Sequence, residues 1–249
     1  MTTLAFDSST DRISVAIVKQ VEETESIVAE EEVEAKRYSE VITPMIDACL
    51  RRSEIDARTL QLIAVGVGPG SFTGLRAAVA TAKTLAQVLA LPLIGVSSIE
   101  ALRIAAIRGA GHSWPLSIAL DARRGSLYRQ HFVTEVSAEE SPPTLVSLAE
   151  FVDELSEAGA PRLIAGDAQP LLRDAALPDF VRMGGDDLMR PRALSIARYA
   201  NSMKAKAKAG PPFGVQPLYW RPPDAKTLVE RGKAPRLDLE DHQVTREEG

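Results

Sequence analysis

Cysteine is almost missing from this chain: its 249 residues contain one, Cys49. No internal disulfide can form, which suits a reducing, cytoplasmic setting. Histidine is nearly as scarce. His112, His131 and His242 stand far apart, so no zinc-type spacing can be read. The opening MTTLAFDSSTDRIS has neither a basic leader nor a long apolar run and does not read as a signal peptide. No apolar stretch is long enough to cross a bilayer, so no membrane contact is expected. A surplus of positive charge is also lacking. The formal net charge is -5, which gives no general attraction for a phosphate backbone and argues against stand-alone nucleic-acid binding.

What is there is a globular composition, 45% apolar and 25% charged, long enough for one large domain or two small ones. Leu4–Phe6 and Ile13–Val18 read as strands around a polar turn, and Glu22–Glu34 as a third, acidic strand. Tyr38–Leu50 reads as a helix, with Val41, Ile42, Met45, Ile46, Cys49 and Leu50 at helical spacing. Leu62–Val67 has the unbroken apolar character of a buried strand. It runs into Gly68-Pro69-Gly70-Ser71-Phe72-Thr73-Gly74 and a helix from about Leu75 to Leu91. Leu93–Val96 and Ile99–Ile107 read as a strand and a helix, and the turn at 109–111 with Pro115 marks a lobe boundary.

The second half repeats this order. LAFDSSTDRISVAIV and SIALDARRGSLYRQHFV each give an apolar strand, a terminal Asp, a polar turn and a return strand. Leu163–Gly166 leads into Asp167 much as Leu62–Val67 leads into Gly68, and a helix follows over Ala193–Lys208. The expected organisation is therefore an N-terminal lobe over 1–108 and a C-terminal lobe over 109–190. A returning helix and strand over 191–226 would pack on both. The charged stretch 227–249 holds too little apolar surface to offset its ordering entropy and is expected to be disordered.

Two loops are candidates for chemistry. Gly68, Gly70, Ser71 and Gly74 lie between a buried strand and a helix whose N-terminal N–H groups favour an anion. The spacing is neither a P-loop nor GxGxxG, and a tight turn with Phe72 as packing anchor explains it equally well. Asp7, Ser8, Ser9 and Thr10 can hold a phosphate or a metal-bound water, yet they are also ordinary turn formers without the glycines that allow close approach. The helix after Gly74 is rich in small residues, Ala77, Ala78, Ala80, Ala82 and Ala86, and the Tyr38 helix has a wide apolar arc. Together they suggest a helix–helix docking face, or simply cover for the sheet. Nucleophilic catalysis has little support. No histidine sits beside Ser71, Ser97 or Ser98, and His131 reads as a surface or core residue on a strand. Cys49 reads as a small buried hydrophobe. Glu139-Glu140 and Asp186-Asp187 read as solvated loop pairs.

GPGSFTGLR, the N-terminal LAFDSSTDRISVAIV, ALDARRGSLY and the late VQPLYWRPPDA, in this order, resemble the TsaB (YeaZ) family over about residues 1–226. The resemblance implies an α/β, actin-like ATPase fold (ASKHA, RNase H-like) of two duplicated lobes, each a mixed sheet flanked by helices. It implies a non-catalytic role in making threonylcarbamoyladenosine, the modified base next to the anticodon of certain tRNAs. The implied partners are a second copy of the chain, a TsaD-type catalytic subunit and a TsaE-type ATPase, with tRNA met through the complex. The first two helices would carry the interface, through Tyr38, Ile42, Met45 and Cys49 on one and Phe72, Arg76, Ala80 and Lys83 on the other. No cofactor is implied for this chain itself, though ATP or ADP can sit at the complex interface. TsaD-like proteins hold a metal with HxxxH on the helix matching Tyr38–Leu50. Here that helix begins Arg37-Tyr38-Ser39-Glu40-Val41-Ile42 and has no histidine, whereas relatives often have one at the place of Tyr38. An ATP-dependent small-molecule kinase on the same fold is the alternative, and a peptidase the weakest reading.

Overall fold

The structure, a computed structural model, describes residues 1–35, 37–109, 114–133, 143–204 and 212–219. The expected disordered tail, His112, His242, the Glu139-Glu140 pair and the turn at 110–111 lie outside the described residues. Two five-stranded sheets carry the fold. In the first, β1 (Thr2–Asp7), β2 (Arg12–Val21) and β3 (Thr24–Glu34) form an antiparallel meander, while β4 (Leu62–Gly68) and β5 (Leu93–Ser97) extend it in parallel beyond β1, giving the order β3-β2-β1-β4-β5. In the second, β6 (Leu116–Asp121), β7 (Ser126–Phe132) and β8 (Thr144–Ser147) are antiparallel. β9 (Arg162–Ala165) and β10 (Val181–Met183) lie parallel beyond β6, in the order β10-β9-β6-β7-β8. Written by position, both sheets have one topology: a three-strand meander extended by two parallel strands. The duplication read from the two hairpin sequences is a duplication of whole sheets.

Helices explain the burial of each strand. α1 (Tyr38–Arg52) and α2 (Phe72–Val88) cover one face of the first sheet, and α6 (Ala193–Lys204) covers the other. β4 lies between α2 and α6 and is buried at all seven positions, as its unbroken apolar run requires. α3 (Ser98–Gly109) follows the first sheet in sequence, but its Ile99, Leu102 and Ala106 pack into the core of the second beside Leu116, Ile118 and Leu120. On the far face of that sheet, α4 (Leu148–Glu157) inserts Phe151 and Leu155, and the short α5 (Gln169–Leu172) adds Leu172. A capping box between Ser147 and Glu150 starts α4. The periodicity reading did not resolve β8, α4, α5 or β10, the longest of which has ten residues. Among the described residues no helix is long and apolar enough to cross a membrane.

Three expectations change. α2 begins at Phe72 rather than near Leu75, because the Ser71 hydroxyl accepts the Gly74 N–H and caps the helix three residues earlier. The late segment 212–219 is a 3₁₀ turn (Pro212–Gly214) followed by irregular chain, not a strand. Val215 and Leu218 pack on the first core, and Leu218 N–H donates to the Val67 carbonyl at 2.7 Å. The stripe Ile42, Met45 and Cys49 does not face outward. All three side chains lie in the chain's own core, between the sheet and α2, and even Met45 is only 8% exposed. α1 touches both the sheet and α2, so its apolar arc is wide for an internal reason. It follows that Met45→Asp buries an unpaired carboxylate and destabilises the isolated chain by about 3 kcal/mol or more. Urea denaturation of the variant checks this; a midpoint equal to that of the wild type would return Met45 to the surface.

Candidate functional site

Two loops of the first lobe are pressed together at the sheet's C-terminal edge. The β1–β2 turn contributes Ser8 and Ser9; the β4–α2 loop contributes Gly70 to Gly74. Ser71 N–H donates to the Ser9 carbonyl at 2.5 Å, and Ser8 Oγ donates to the Gly74 carbonyl at 2.9 Å. A Cβ at Gly70 would overlap the Ser9 carbonyl oxygen, and one at Gly74 the Ser8 carbonyl oxygen. Glycine stands at these positions because two backbones meet there. Gly68 closes β4 immediately before this contact. Three of the loop's donors are spent on the fold itself: Ser71 N–H on Ser9, Gly74 N–H on Ser71 Oγ, Leu75 N–H on the Ser71 carbonyl. Of the two readings of GPGSFTG, this geometry favours the packed turn over the anion cradle.

Asp7 lies beneath the contact. Its Oδ1 accepts the Ser9 N–H at 2.9 Å and the Ser9 hydroxyl at 2.7 Å. Its Oδ2 is buried without a partner, pressed against Gly66. Burial pushes the carboxyl up to about 6, against the pull of the two Ser9 hydrogen bonds. Asp7 does not reach the surface of the adjoining cleft, so it is not placed to hold a metal-bound water there. Among the described residues no three His, Cys, Asp or Glu side chains come together as a metal group.

The cleft, about 460 Å³, opens between the lobes. Ser9, Thr10, Asp11 and Ser71 line it from the first lobe, and Asp121, Arg123, Tyr128 and Asp167 from the second. Tyr38, Phe72 and Tyr219 close one end. Its charges are mostly answered in place. Arg190 Nε donates to Asp11 at 3.0 Å, and Arg123 Nη1 to Asp121 at 3.1 Å. Asp167 Oδ1 accepts the Asp121 N–H at 2.8 Å, and burial pushes its carboxyl up to about 6. Asp121 and Asp167 were visible in the sequence as strand-end residues. Arg190 and Tyr128 were not singled out, because they reach the cleft from distant segments with no local signal.

The docking residues divide. Phe72, Arg76 and Ala80 lie exposed along the outward face of α2, and Lys83 is half-buried on the same helix. The Arg76 guanidinium stands 5.2 Å from the Phe72 ring centroid, a cation–π contact. Tyr38 is half-buried at the cleft end of α1. Ile42, Met45 and Cys49 point inward, and burial pushes the Cys49 thiol up to about 11, which leaves it unreactive. The outward face of α1 is instead made by Glu40, Thr43, Pro44 and Asp47.

One constellation escaped the sequence. Ser117 and His131 are cross-strand partners on β6 and β7, with Ser117 Oγ 2.6 Å from His131 Nδ1. His131 Nε2 lies 3.2 Å from Glu154 Oε2. Arg162 Nη1 donates to Ser117 Oγ at 3.1 Å and points at Nδ1 at 3.3 Å, so Nδ1 is the acceptor and Nε2–H faces the carboxylate. Burial holds the imidazole below its usual range and therefore neutral. The series resembles a hydrolase triad, but Ser117 is fully buried and flanked by a cation, and no substrate carbonyl can reach it. It is a structural tie between α4 and the second sheet.

Comparison with known proteins adds the lineage. The family model for TsaD, tRNA N6-adenosine threonylcarbamoyltransferase, matches residues 22–160. An uncharacterized protein of Mycobacterium tuberculosis is 29% identical over 92% of this chain and 95% of its own length. The tRNA threonylcarbamoyladenosine biosynthesis protein TsaB of Bacillus subtilis is 32% identical over 67% of this chain and 71% of its own. Among solved structures, YeaZ from Pseudomonas aeruginosa superposes with a TM-score of 0.70 at 23% identity, covering 88% of this chain and 99% of that one. The activator of 2-hydroxyisocaproyl-CoA dehydratase from Clostridium difficile has a TM-score of 0.50 at 9% identity over 84% of this chain and 98% of its own, a likeness of fold alone. The chain has the two-lobed α/β architecture of the actin-like ATPases, and by sequence it belongs to the TsaB (YeaZ) family.

Proposed function

We propose that this chain is a non-catalytic partner subunit in tRNA threonylcarbamoyladenosine biosynthesis, which binds a TsaD-type catalytic subunit and holds it in working form. The pathway is supported by the printed function of its TsaB relatives. The role within it is carried by one contrast. The loop that could cradle a phosphate gives its Ser71 N–H to the β1–β2 turn and its Gly74 and Leu75 N–H groups to Ser71, whereas the outward face of α2 presents Phe72, Arg76 and Ala80 to solvent. Small residues such as Ala80 let another helix approach toward the short end of the ~8–10 Å interaxial range. In this reading a TsaE-type ATPase joins the assembly, tRNA is met through the complex in the cytoplasm, and any ATP or ADP is held at the interface between subunits.

Mixing the purified chain with a TsaD-type homologue and resolving the mixture by gel filtration is the direct test. A co-eluting complex is expected, and two separate peaks would remove the reading. Ala80→Arg leaves the melting temperature of the chain unchanged and weakens the complex by at least about tenfold in Kd, equivalent to about 1.4 kcal/mol. The kinase alternative is separated by Asp7. Its folded pKa, about 6, lies above the ordinary aspartate value of 3.8. The folded state therefore holds the proton more tightly, and this contribution to stability is fully present below the unfolded pKa. It is lost as pH rises through about 4 to 6 and stays lost above. Asp7→Asn is accordingly expected to stabilise the chain at pH 7.5 by about 1–3 kcal/mol and to give no gain at pH 4. Denaturation at the two pH values checks it. ATP turnover by the chain alone that vanishes in the variant would favour a kinase.

A further inference from the structure

We propose that the acidic segment 237–241 of this chain's own C-terminal stretch folds back over the outward face of α2 and competes there with a partner; the inference rests on that face being the docking surface. The face is a stripe. Phe72, Arg76, Ala80, Thr84 and Val88 follow at four-residue spacing and are all exposed. α2 contains no acidic residue, and among the described residues neither Arg76 nor Lys83 forms an ion pair. The neighbouring α1 does not answer them, because Glu40 and Asp47 are held by Arg37 and Arg51 of the same helix at 3.3 and 2.9 Å. α2 therefore presents two cations without counter-charge. Beside them lies exposed apolar surface: Val88, the Phe72 ring, and Phe213 on the turn that packs against the same helix.

The chain itself delivers the complement. Leu218 is anchored in the first core with its N–H on the Val67 carbonyl, and the Tyr219 ring lies 5.0 Å from that of Phe72. The described chain thus reaches Tyr219 beside the first turn of α2, and residues 220–249 follow in sequence. Their charge is uneven. The stretch 221–236 has five basic residues against two acidic ones, whereas 237–248 has five acidic against one basic. Leu237-Asp238-Leu239-Glu240-Asp241 interleaves two leucines with three carboxylates and holds no base. That composition matches apolar surface set between unanswered cations. The basic stretch before it is repelled by Arg76 and Lys83 and so serves as spacer rather than occupant. The reach is sufficient. Lys83 stands eleven residues beyond Phe72, about 16 Å along the helix. A flexible chain of about seventeen residues, the length of the spacer, has an r.m.s. span of roughly 20–25 Å. A segment tethered at that range meets the face at an effective concentration of about 1 mM. Contacts of only millimolar affinity then cover the face about half of the time, and a partner's apparent Kd rises about twofold.

Paramagnetic relaxation in the full chain tests this. Cys49 is buried, so a nitroxide on Gln243→Cys reports from the C-terminal stretch alone. Loss of the Arg76, Ala80 and Lys83 amide signals is expected, with those of α4 in the second lobe unaffected. The loss is expected to disappear when Asp238→Asn, Glu240→Gln and Asp241→Asn are combined. α2 signals no weaker than those of α4 overturn the proposal. So does a loss of equal size on unlabelled, isotope-enriched copies mixed with labelled ones, which would place the segment on a second copy. A loss that persists in the charge-neutral triple variant refutes the ionic recognition. That variant is also expected to bind a TsaD-type homologue about twofold or more tightly than the wild type, and an unchanged or weaker complex refutes the competition. If neither chain forms such a complex, the docking reading fails, while the relaxation experiment on the chain alone still decides where the segment lies.

Discussion

The contact between the Ser8-Ser9 turn and the Gly70–Gly74 loop governs much of the rest. Two stretches of backbone touch where any Cβ would intrude. That contact fixes where α2 begins, with Ser71 serving both as its cap and as a donor to Ser9. It seals Asp7 beneath the turn and so sets the carboxyl's environment. It also turns Phe72, the first helical residue, outward to the mouth of the cleft and the side of α2. A loop that looks in sequence like a ligand cradle serves as a joint, and the joint aims a helix.

The duplicated sheets make the difference between the lobes informative. Asp7 ends β1 and Asp121 ends β6, at equivalent positions of one topology. The turn after Asp7 is packed. The turn after Asp121, Arg123-Arg124-Gly125, has positive φ at all three residues and lies exposed. The Asp121 side chain meets its own Arg123, while its backbone N–H donates to Asp167 in the loop leaving β9, which stands where the first lobe has a glycine series. One strand-turn-strand plan therefore yields a sealed joint in one lobe and an ion-paired wall in the other.

This asymmetry also explains what could be read from residues alone. Long periodic elements were legible: the β1–β2 hairpin, the buried β4, α1, and the repeat in β6 and β7. Short elements such as β8 and β10 carry too few residues for a period to show. The direction of α1 was misread for a physical reason. A helix that touches both a sheet and a neighbouring helix needs apolar residues over a wide arc, so the width of the arc does not reveal a partner. The outward character of α2 was legible in Ala80, Arg76 and Lys83, whose types tolerate water. The Ser117–His131–Glu154 tie depends on strand register, which places Ser117 opposite His131, and no local pattern encodes that pairing.

Where binding is strongest then follows from magnitudes. The lobes are bridged near the cleft by Arg12–Asp186 and Arg190–Asp11, each at 3.0 Å, with one partner of each pair well exposed. Exposed pairs of this kind contribute about 0–1 kcal/mol each, so they orient the lobes without locking them. A ligand entering the cleft would have to displace those pairs and find donors that the fold has already used. A helix laid on α2 meets neither obstacle. It covers exposed alanine, threonine and aromatic surface, and each ~100 Å² of apolar area removed from water is worth about 2.5 kcal/mol before association costs. Under the proposed reading this balance favours the outer face of the first lobe over the cleft as the recognition surface, although the cleft is the deeper feature.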